Sequence, residues 1–432
     1  MKTFSINLFT NLYQDIFKAD SRLHFQLMSC IFLLLPITFI TGPFLPDLFL
    51  SIIGFYFLVL SLINREFVLY KNKLVIIFAL FIFYLILRGL LSDYPYESLI
   101  KYNGPIFYFR YLFFILGVQY LITLNSKLIK IFSLVLILVI IFTVVDGYLQ
   151  WLTGQNIFGF KSPSIRVTGI FNEEEILGHF LSHVVPLSFS LLIFVYGVSR
   201  KNIILYMLLL IISEVMIFIT NDRAGFLKIF QFTLILVALS THFKVYRLIA
   251  FSISMVLIFL ILNFSNNSMS RYSDTLSDVQ STTIPYMPWT PAHESHFSVA
   301  IDMFKENPIF GQGPQMFKIL CQIVPKYKKD CTSHPHNYWL QTLGEMGLIG
   351  ISFLIAGFLY CFIILFRHFI AFWFIQKLDR KYVLSDHVLV LYSQLFIFLW
   401  PLIPHQSFYN NWLNVLVYLP LAFLMYFEKK KN

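Results

Sequence analysis

Long apolar runs recur along this chain, and they constrain its fold more than any other feature of the sequence. A helix needs about 20 mostly apolar residues to cross the ~30 Å hydrocarbon core of a bilayer. Charged residues make up only 12% of the 432 residues, about half the share of a soluble protein. We therefore expect an all-α polytopic membrane protein with about 12 transmembrane helices. The runs lie at 25–41, 44–63, 74–91, 105–123, 128–151, 176–197, 203–220, 224–241, 246–264, 338–366, 387–405 and 410–427.

The positions of the basic residues predict the orientation. A net charge of +10 is compatible with nucleic-acid binding, but Lys and Arg cluster in alternate loops, as they do beside anionic headgroups on the cytoplasmic side. The short loops on the other side hold only Lys101, Lys161, Arg166 and Arg223. We therefore expect both termini in the cytoplasm. The first run is typical of a spanning helix rather than of a signal peptide.

One long segment, 265–337, lies on the outer side between the ninth and tenth helices. It separates an N-terminal membrane bundle of about nine helices (1–264) from a C-terminal bundle of about three helices (338–432). Pro285, Pro288 and Pro291 exclude a helix where they stand. A short amphipathic helix follows and ends at Asn307-Pro308, so the loop is expected to cap the bundle.

Two of the four cysteines, Cys321 and Cys331, lie in this outer loop. An oxidising compartment would allow them to pair, and we expect a disulfide that closes a small lobe. Cys30 and Cys361 lie inside apolar runs and are expected to be packing residues.

Arg166 and Arg223 require an explanation, because the short outer loops hold few basic residues. A guanidinium grips phosphate oxygens through two parallel hydrogen bonds, so two arginines at the rim of a bundle suit a lipid-linked diphosphate. The alternative is ion pairing with nearby acids: Arg166 with residues 173–175, and Arg223 with Asp222.

His336 lies where the long loop re-enters the membrane. A histidine at a helix N-terminus tends to be neutral, and a neutral imidazole can take a proton from a sugar hydroxyl. The alternative is an interfacial histidine bound to water.

Four histidines also raise the question of a metal site. His293 and His296 are three residues apart, and His334 and His336 are two apart, but neither spacing matches a common zinc signature. We therefore expect no metal. The Gly311–Gly313 stretch favours a tight bend over a phosphate cradle.

A few ionisable residues lie within the apolar runs and could form an ion pathway. They are Arg88, Arg110, Glu214 and Lys228. Arg88, Glu214 and Lys228 stand near run ends or could snorkel, which favours a structural role.

Several motifs resemble the O-antigen ligase/polymerase superfamily of bacterial membrane glycosyltransferases. The most specific is the histidine stretch with its following glutamate and glycines, and the others occur in the family's order. They are RVTGIFNE (166–173), NDRAGFL (221–227), NPIFGQGPQMF (307–317), HPHNYWL (334–340) and EMGLIG (345–350).

The resemblance implies a metal-independent, inverting glycosyltransferase of the bacterial inner membrane that works on the periplasmic side without a cofactor. The implied donor is a glycan on undecaprenyl diphosphate. The implied acceptor is the lipid A core for a ligase, which we favour, or a growing polysaccharide for a polymerase. His336 matches the family's general base, and Arg166 and Arg223 match arginines that hold the donor diphosphate. Supporting roles fall to His334, His293 and Asn337.

Two departures from the family pattern stand out. Many members carry an arginine in the loop helix where this chain has His293, which leaves a third cationic contact dependent on that histidine being protonated. Residues 173–175 are Glu-Glu-Glu in place of Glu-Pro-Asn. A transporter of lipid-linked glycans is a weaker alternative, because such proteins usually contain internal repeats and we find none.

Overall fold

The computed structural model describes residues 22–101, 104–264, 273, 277, 280–282, 289–327, 332–374 and 382–431. These residues form helices and no strand, apart from one isolated bridge between Gln155 and Lys161. The all-α prediction is confirmed. The helices are α1 (Leu23–Thr38), α2 (Phe44–Asn64), α3 (Lys73–Leu90), α4 (Pro95–Leu99), α5 (Phe109–Leu124), α6 (Lys127–Thr153), α7 (Leu177–Tyr196), α8 (Arg200–Ile219), α9 (Arg223–Leu239), α10 (Lys244–Phe264), α11 (Pro291–Glu306), α12 (Met316–Ile323), α13 (Tyr338–Trp373), α14 (Asp386–Phe398) and α15 (Asn411–Lys431).

The apolar character of these helices makes the chain an integral membrane protein. Among the described residues, eight helices are long and apolar enough to cross a bilayer, and α1 and α14 are shorter apolar helices. Large apolar side chains such as Phe55 and Phe259 are exposed on their outer faces, which only lipid would cover at low cost. A helix lies at each of the twelve predicted positions, whereas twelve as the number of spans stays a prediction.

Helix α7 forms the centre of the bundle. It packs against α6, α8, α9, α14 and α15. Of the residues in its most apolar 18-residue stretch, 89% are buried inside the protein, compared with 17% for α13. Gly178 of α7 meets Gly225 of α9 so closely that a Cβ on Gly225 would lie 2.8 Å from the Gly178 carbonyl. This contact brings the beginnings of α7 and α9 together at one end of the bundle, which we call the rim.

Several predicted boundaries differ from those in the structure, and two of the differences involve proline. Helix α14 ends at Phe398 rather than at 405, because Pro401 and Pro404 cannot continue a helix. Helix α11 begins at Pro291 rather than after it, since proline is tolerated in the first turn, where its missing N–H would have no helical partner. Helix α13 continues to Trp373, seven residues beyond the predicted end.

The loop helix α11 packs on the helical bundle, and its role as a cap on the outer side stays a prediction. It ends at Glu306 with Asn307 as its C-cap, and it packs on α13. Together with α12 it forms a small separate core, which consists of Val299, Ala300, Met303, Phe317, Cys321 and Tyr327.

The segment after α11 returns to the bundle through the predicted glycine bend. The Gln312 N–H donates to the Gly344 carbonyl at 3.0 Å, and the Gly313 N–H donates to the Glu345 carbonyl at 2.7 Å. Helix α13 kinks at Gly347, whose φ is 62°; a Cβ there would lie 2.4 Å from the Ile309 carbonyl oxygen. Backbone therefore packs directly on backbone where the loop meets the bundle.

Arg88 of α3 holds this bend in place. Its Nε donates to the Phe310 carbonyl at 3.0 Å and its Nη2 donates to the Gly311 carbonyl at 2.6 Å. Nη1 donates to the Leu91 carbonyl at 2.7 Å. These bonds agree with the structural role predicted for Arg88.

We predict that Arg88→Ala lowers the free energy of unfolding. Loss of hydrogen bonds from a charged donor to buried carbonyls costs about 1.5–3 kcal/mol. The melting temperature of the detergent-solubilised variant should fall by several degrees. The exposed Lys73→Ala is the control and should leave it unchanged, and equal melting temperatures for the two variants would contradict the role of Arg88.

Candidate active site

Four histidines from two separate segments meet at the rim. His336 lies at the centre, with its ring centroid 4.1 Å from that of His334, 5.8 Å from that of His293 and 5.9 Å from that of His296. Helix α11 supplies His293 and His296, which lie one turn apart on one face. The structure therefore brings the loop helix next to the histidine stretch.

His336 has an unusual backbone conformation. Its φ is 53°, a left-handed value that costs a residue with a side chain about 1–2 kcal/mol. The carbonyl of His336 accepts a hydrogen bond of 2.7 Å from the His405 N–H. Backbone strain at a candidate catalytic residue, held by a neighbouring loop, is a recurrent feature of functional sites.

Asn337 fixes the same turn from the other side. Its Oδ1 accepts the N–H groups of Trp339 (2.9 Å) and Leu340 (3.1 Å), so it caps α13. Its Nδ2 donates to the Pro401 carbonyl at 2.8 Å. Asn337 is thus a helix cap directly after His336, and its predicted supporting role in the site stays a prediction.

The environment favours neutral imidazoles in this cluster. Burial lowers the pKa of His336 below its usual value, and nearby His296 lowers it further. Burial, helped by His336, lowers the pKa of His334 to about 3. The pKa of His293 falls to about 4 because of burial and then because of His336 and Arg223. At neutral pH His336 can accept a proton, whereas His293 is uncharged and does not supply a third cation.

Arg223 is the first residue of α9 and lies at the same rim. Its charge is near enough to His293 to lower the pKa of that histidine. Asp222 caps α9 by accepting the Gly225 N–H at 3.0 Å. The structure therefore places Arg223 in the electrostatic neighbourhood of the histidine cluster.

Arg166 reaches the rim from the segment between α6 and α7. Its Nη1 lies 2.8 Å from Glu175 Oε2, and its Nη2 lies 3.8 Å from Asp222 Oδ1. Pairing with an acid of 173–175 is what the structural alternative predicted for Arg166. The same contacts also bring Arg166 next to Asp222, the residue that precedes Arg223. Pairing with acids and binding a diphosphate together with Arg223 are therefore compatible roles.

The segment that carries Arg166 is held by side chains of α6. Gln150 Oε1 accepts the N–H groups of Thr168 (2.8 Å) and Gly169 (2.7 Å). Asp146 Oδ1 accepts the Ile157 N–H at 2.8 Å. Buried acceptors thus fix an irregular loop at the rim, and Arg166 with it.

The four histidines do not form a metal site in this geometry. Within the described residues, no three His, Cys, Asp or Glu side chains are placed to hold a metal ion. The expectation that the protein works without a metal stays a prediction.

Sequence reasoning missed two parts of the site. The first is His405, whose ring stacks on Tyr338 with centroids 4.5 Å apart and whose backbone holds His336. The second is the neighbouring pair of Lys228 and His179. For His405 the signal was Pro401 and Pro404, which indicate a loop where we expected the end of the helix 387–405.

Comparison with known proteins finds a family match in the central part of the chain. Residues 205–355 match the sequence model of the O-antigen ligase family. This part of the chain is therefore similar to an O-antigen ligase domain. The match supports the O-antigen ligase/polymerase superfamily and an enzyme of the glycosyltransferase type, with lipid-linked glycan and polysaccharide acceptor as its partners. No curated protein matches the chain.

The O-antigen ligase match includes Arg223, helix α11 and His336, whereas Arg166 lies before it. The structure joins Arg166 to the matched region through Asp222. The roles of the individual site residues stay predictions.

Cys321 is disulfide-bonded, and Cys30 and Cys361 are free thiols. Cys331, the expected partner of Cys321, lies outside the described residues, so this pairing stays a prediction.

We predict that alkylation of the denatured, unreduced protein labels Cys30 and Cys361 and leaves Cys321 and Cys331 unlabelled. Mass spectrometry of the tryptic peptides measures this. In the Cys321→Ser control, Cys331 should become labelled. Full labelling of both loop cysteines in wild-type protein isolated without reductant would rule out the bond.

Proposed function

We propose that this protein is an O-antigen ligase-like, metal-independent, inverting glycosyltransferase. It moves a glycan from undecaprenyl diphosphate to the lipid A core, with His336 as general base. The observation that supports this most is the placement of a half-buried His336 beside His293, whose pKa Arg223 lowers, with Arg166 next to Asp222, the residue before Arg223. That rim would face the periplasm of a bacterial inner membrane, with both termini cytoplasmic and the 265–337 loop between the bundles 1–264 and 338–432.

The proposed chemistry needs one base and one stabilised leaving group. The acceptor hydroxyl attacks the anomeric carbon, and its proton passes to the imidazole of His336. The bond between the anomeric carbon and the diphosphate oxygen breaks, and its electron pair leaves with the diphosphate. A single displacement inverts the configuration at that carbon. Arg166 and Arg223 would stabilise the charge that develops on the diphosphate, a contribution that is often the largest in catalysis.

We predict that His336→Ala, Arg166→Ala and Arg223→Ala each reduce glycosyl transfer by about 10²–10³-fold, the loss expected for one group that stabilises a transition state. The measurement is transfer of labelled glycan from the lipid carrier in proteoliposomes. His24→Ala and Arg200→Ala are matched controls, because both residues are exposed and lie in helices away from the rim cluster. Full activity of all three rim variants would disprove the proposed mechanism.

A lipopolysaccharide gel from a deletion strain distinguishes the acceptors. Loss of the whole polymer ladder, with accumulation of lipid-linked polymer, would support the ligase. A band of core with a single repeat unit would instead indicate a polymerase that joins repeat units on the same carrier. An unchanged profile would exclude lipopolysaccharide as the acceptor.

We also predict an acid limb in the pH dependence of activity. His336 must be neutral to accept a proton, so activity is present above its pKa and is lost as the pH falls through it. Because burial and His296 lower that pKa from 6.5, the midpoint of the limb in kcat/KM should lie below pH 6.5.

The matched variant for this pH prediction is His296→Asn. Because His296 lowers the pKa of His336, its removal should move the midpoint upward. A wild-type midpoint above 6.5, the usual value for histidine, would contradict the role of His336 as base.

A further inference from the structure

Lys228 is buried inside α9, five residues beyond Arg223. Only 3% of its surface is exposed, so it does not snorkel to the interface as its sequence position suggested. Ionisable side chains at membrane depth are costly and mark functional positions more often than structural ones. Lys228 therefore requires a specific role.

The titratable groups around Lys228 come from three elements. His179 and His183 face it from α7, His405 faces it from the loop between α14 and α15, and Asp222 lies at the start of its own helix. Its Nζ lies 3.3 Å from His179 Nδ1 and 3.4 Å from His179 Nε2. In the described part of the chain, these hydrogen bonds of Lys228 go to an imidazole and not to a carboxylate.

The contacts connect Lys228 to the loop through one histidine. His179 Nε2 contacts Gln406 Oε1, and an amide oxygen accepts, so this contact is a hydrogen bond when Nε2 carries the proton. Lys228 lies against the same imidazole. The order of contacts is Lys228, His179 and Gln406.

Gln406 belongs to the loop 399–410, and this loop holds the candidate base. The adjacent residue, His405, donates its N–H to the His336 carbonyl at 2.7 Å. Phe408 donates its N–H to Gln341 Oε1 on α13 at 2.9 Å. The loop thus bridges the Lys228 contacts and the strained turn at His336.

A second buried ionisable cluster has a different character. Arg247 pairs directly with Glu214, and Glu214 also accepts the Ser254 hydroxyl at 2.7 Å. That pair joins α8 to α10 and compensates its own charges. The Lys228 cluster instead ends on a loop of the active site.

We propose that Lys228 is a positioning residue of the transferase. Through His179 and Gln406 it fixes the loop 399–410, and with it the left-handed turn that aims His336 at the acceptor. This inference rests on the proposed role of His336 as base.

The first test separates kcat from KM. Lys228→Met removes the ammonium but keeps most of the side-chain volume, and misplacement of a catalytic group by about 1 Å costs about 10²-fold in rate. We expect kcat to fall by about 10–100-fold, with KM for the lipid-linked donor nearly unchanged. A raised KM with unchanged kcat would overturn the proposal, because Lys228 would then act in donor binding.

The second test asks whether Lys228 acts through His336. In a His336→Ala background there is no base to position, so adding Lys228→Met should leave the residual rate nearly unchanged. An equal fold-loss in both backgrounds would mean independent action and would overturn the proposal.

Gln406→Ala covers the case in which Lys228→Met fails to fold. It should cause a similar loss in kcat, and the double variant should be no slower than the slower single variant. Ser188→Ala is the control, because Ser188 is a buried polar residue of α7 that takes no part in this chain of hydrogen bonds, and its rate should equal that of wild type.

The outcomes distinguish this inference from the proposed function. Wild-type activity of His336→Ala would remove both. If His336→Ala is inactive but Lys228→Met and Gln406→Ala are fully active, only the positioning role of Lys228 is disproved, and the proposed function stands.

Discussion

The requirement that backbone groups be hydrogen-bonded at membrane depth shapes this whole structure. A bilayer offers no water to an open N–H or C=O, so spanning segments must be helical. Irregular backbone is tolerated only where protein surrounds it and supplies partners. The candidate functional residues of this protein accordingly lie at the rim, where helices end and loops such as 399–410 are bound by side chains.

At the rim, polar side chains supply the hydrogen-bond partners that the loop backbone lacks, as intrahelical hydrogen bonds do within the bundle. Gln150 holds the segment of Arg166, Arg88 holds the glycine bend, and Asn337 holds the turn at His336. Each of these groups stands at or beside the end of a helix. The helices thus provide rigid positions from which irregular segments carry candidate functional side chains, as catalytic loops on rigid scaffolds do.

The sequence predicted the helices well because hydrophobic length is a local property. It also predicted that Arg166, Arg223 and His336 would share one end of the bundle, since charge asymmetry and motif order are readable along the chain. It could not predict the partnership of Lys228, His179 and Gln406, because contacts between residues 179, 228 and 406 depend on how helices pack. The predicted end of α14 was too late because apolar residues continue past Pro401. Hydropathy alone extends the helix there, whereas proline ends it.

The ion pairs of Arg166 compensate positive charge at the rim, where the proposed diphosphate would bind. Two guanidiniums at one rim repel each other, and Glu175 and Asp222 compensate that charge. The Arg166–Glu175 pair is partly exposed, with 21% and 34% of the two side chains accessible, so it contributes at most about 1 kcal/mol. A diphosphate carries more charge than a carboxylate and can bind both prongs of the fork. In the proposed mechanism it would therefore displace Glu175 at small cost, and the two arginines would supply the positive charge that binds it.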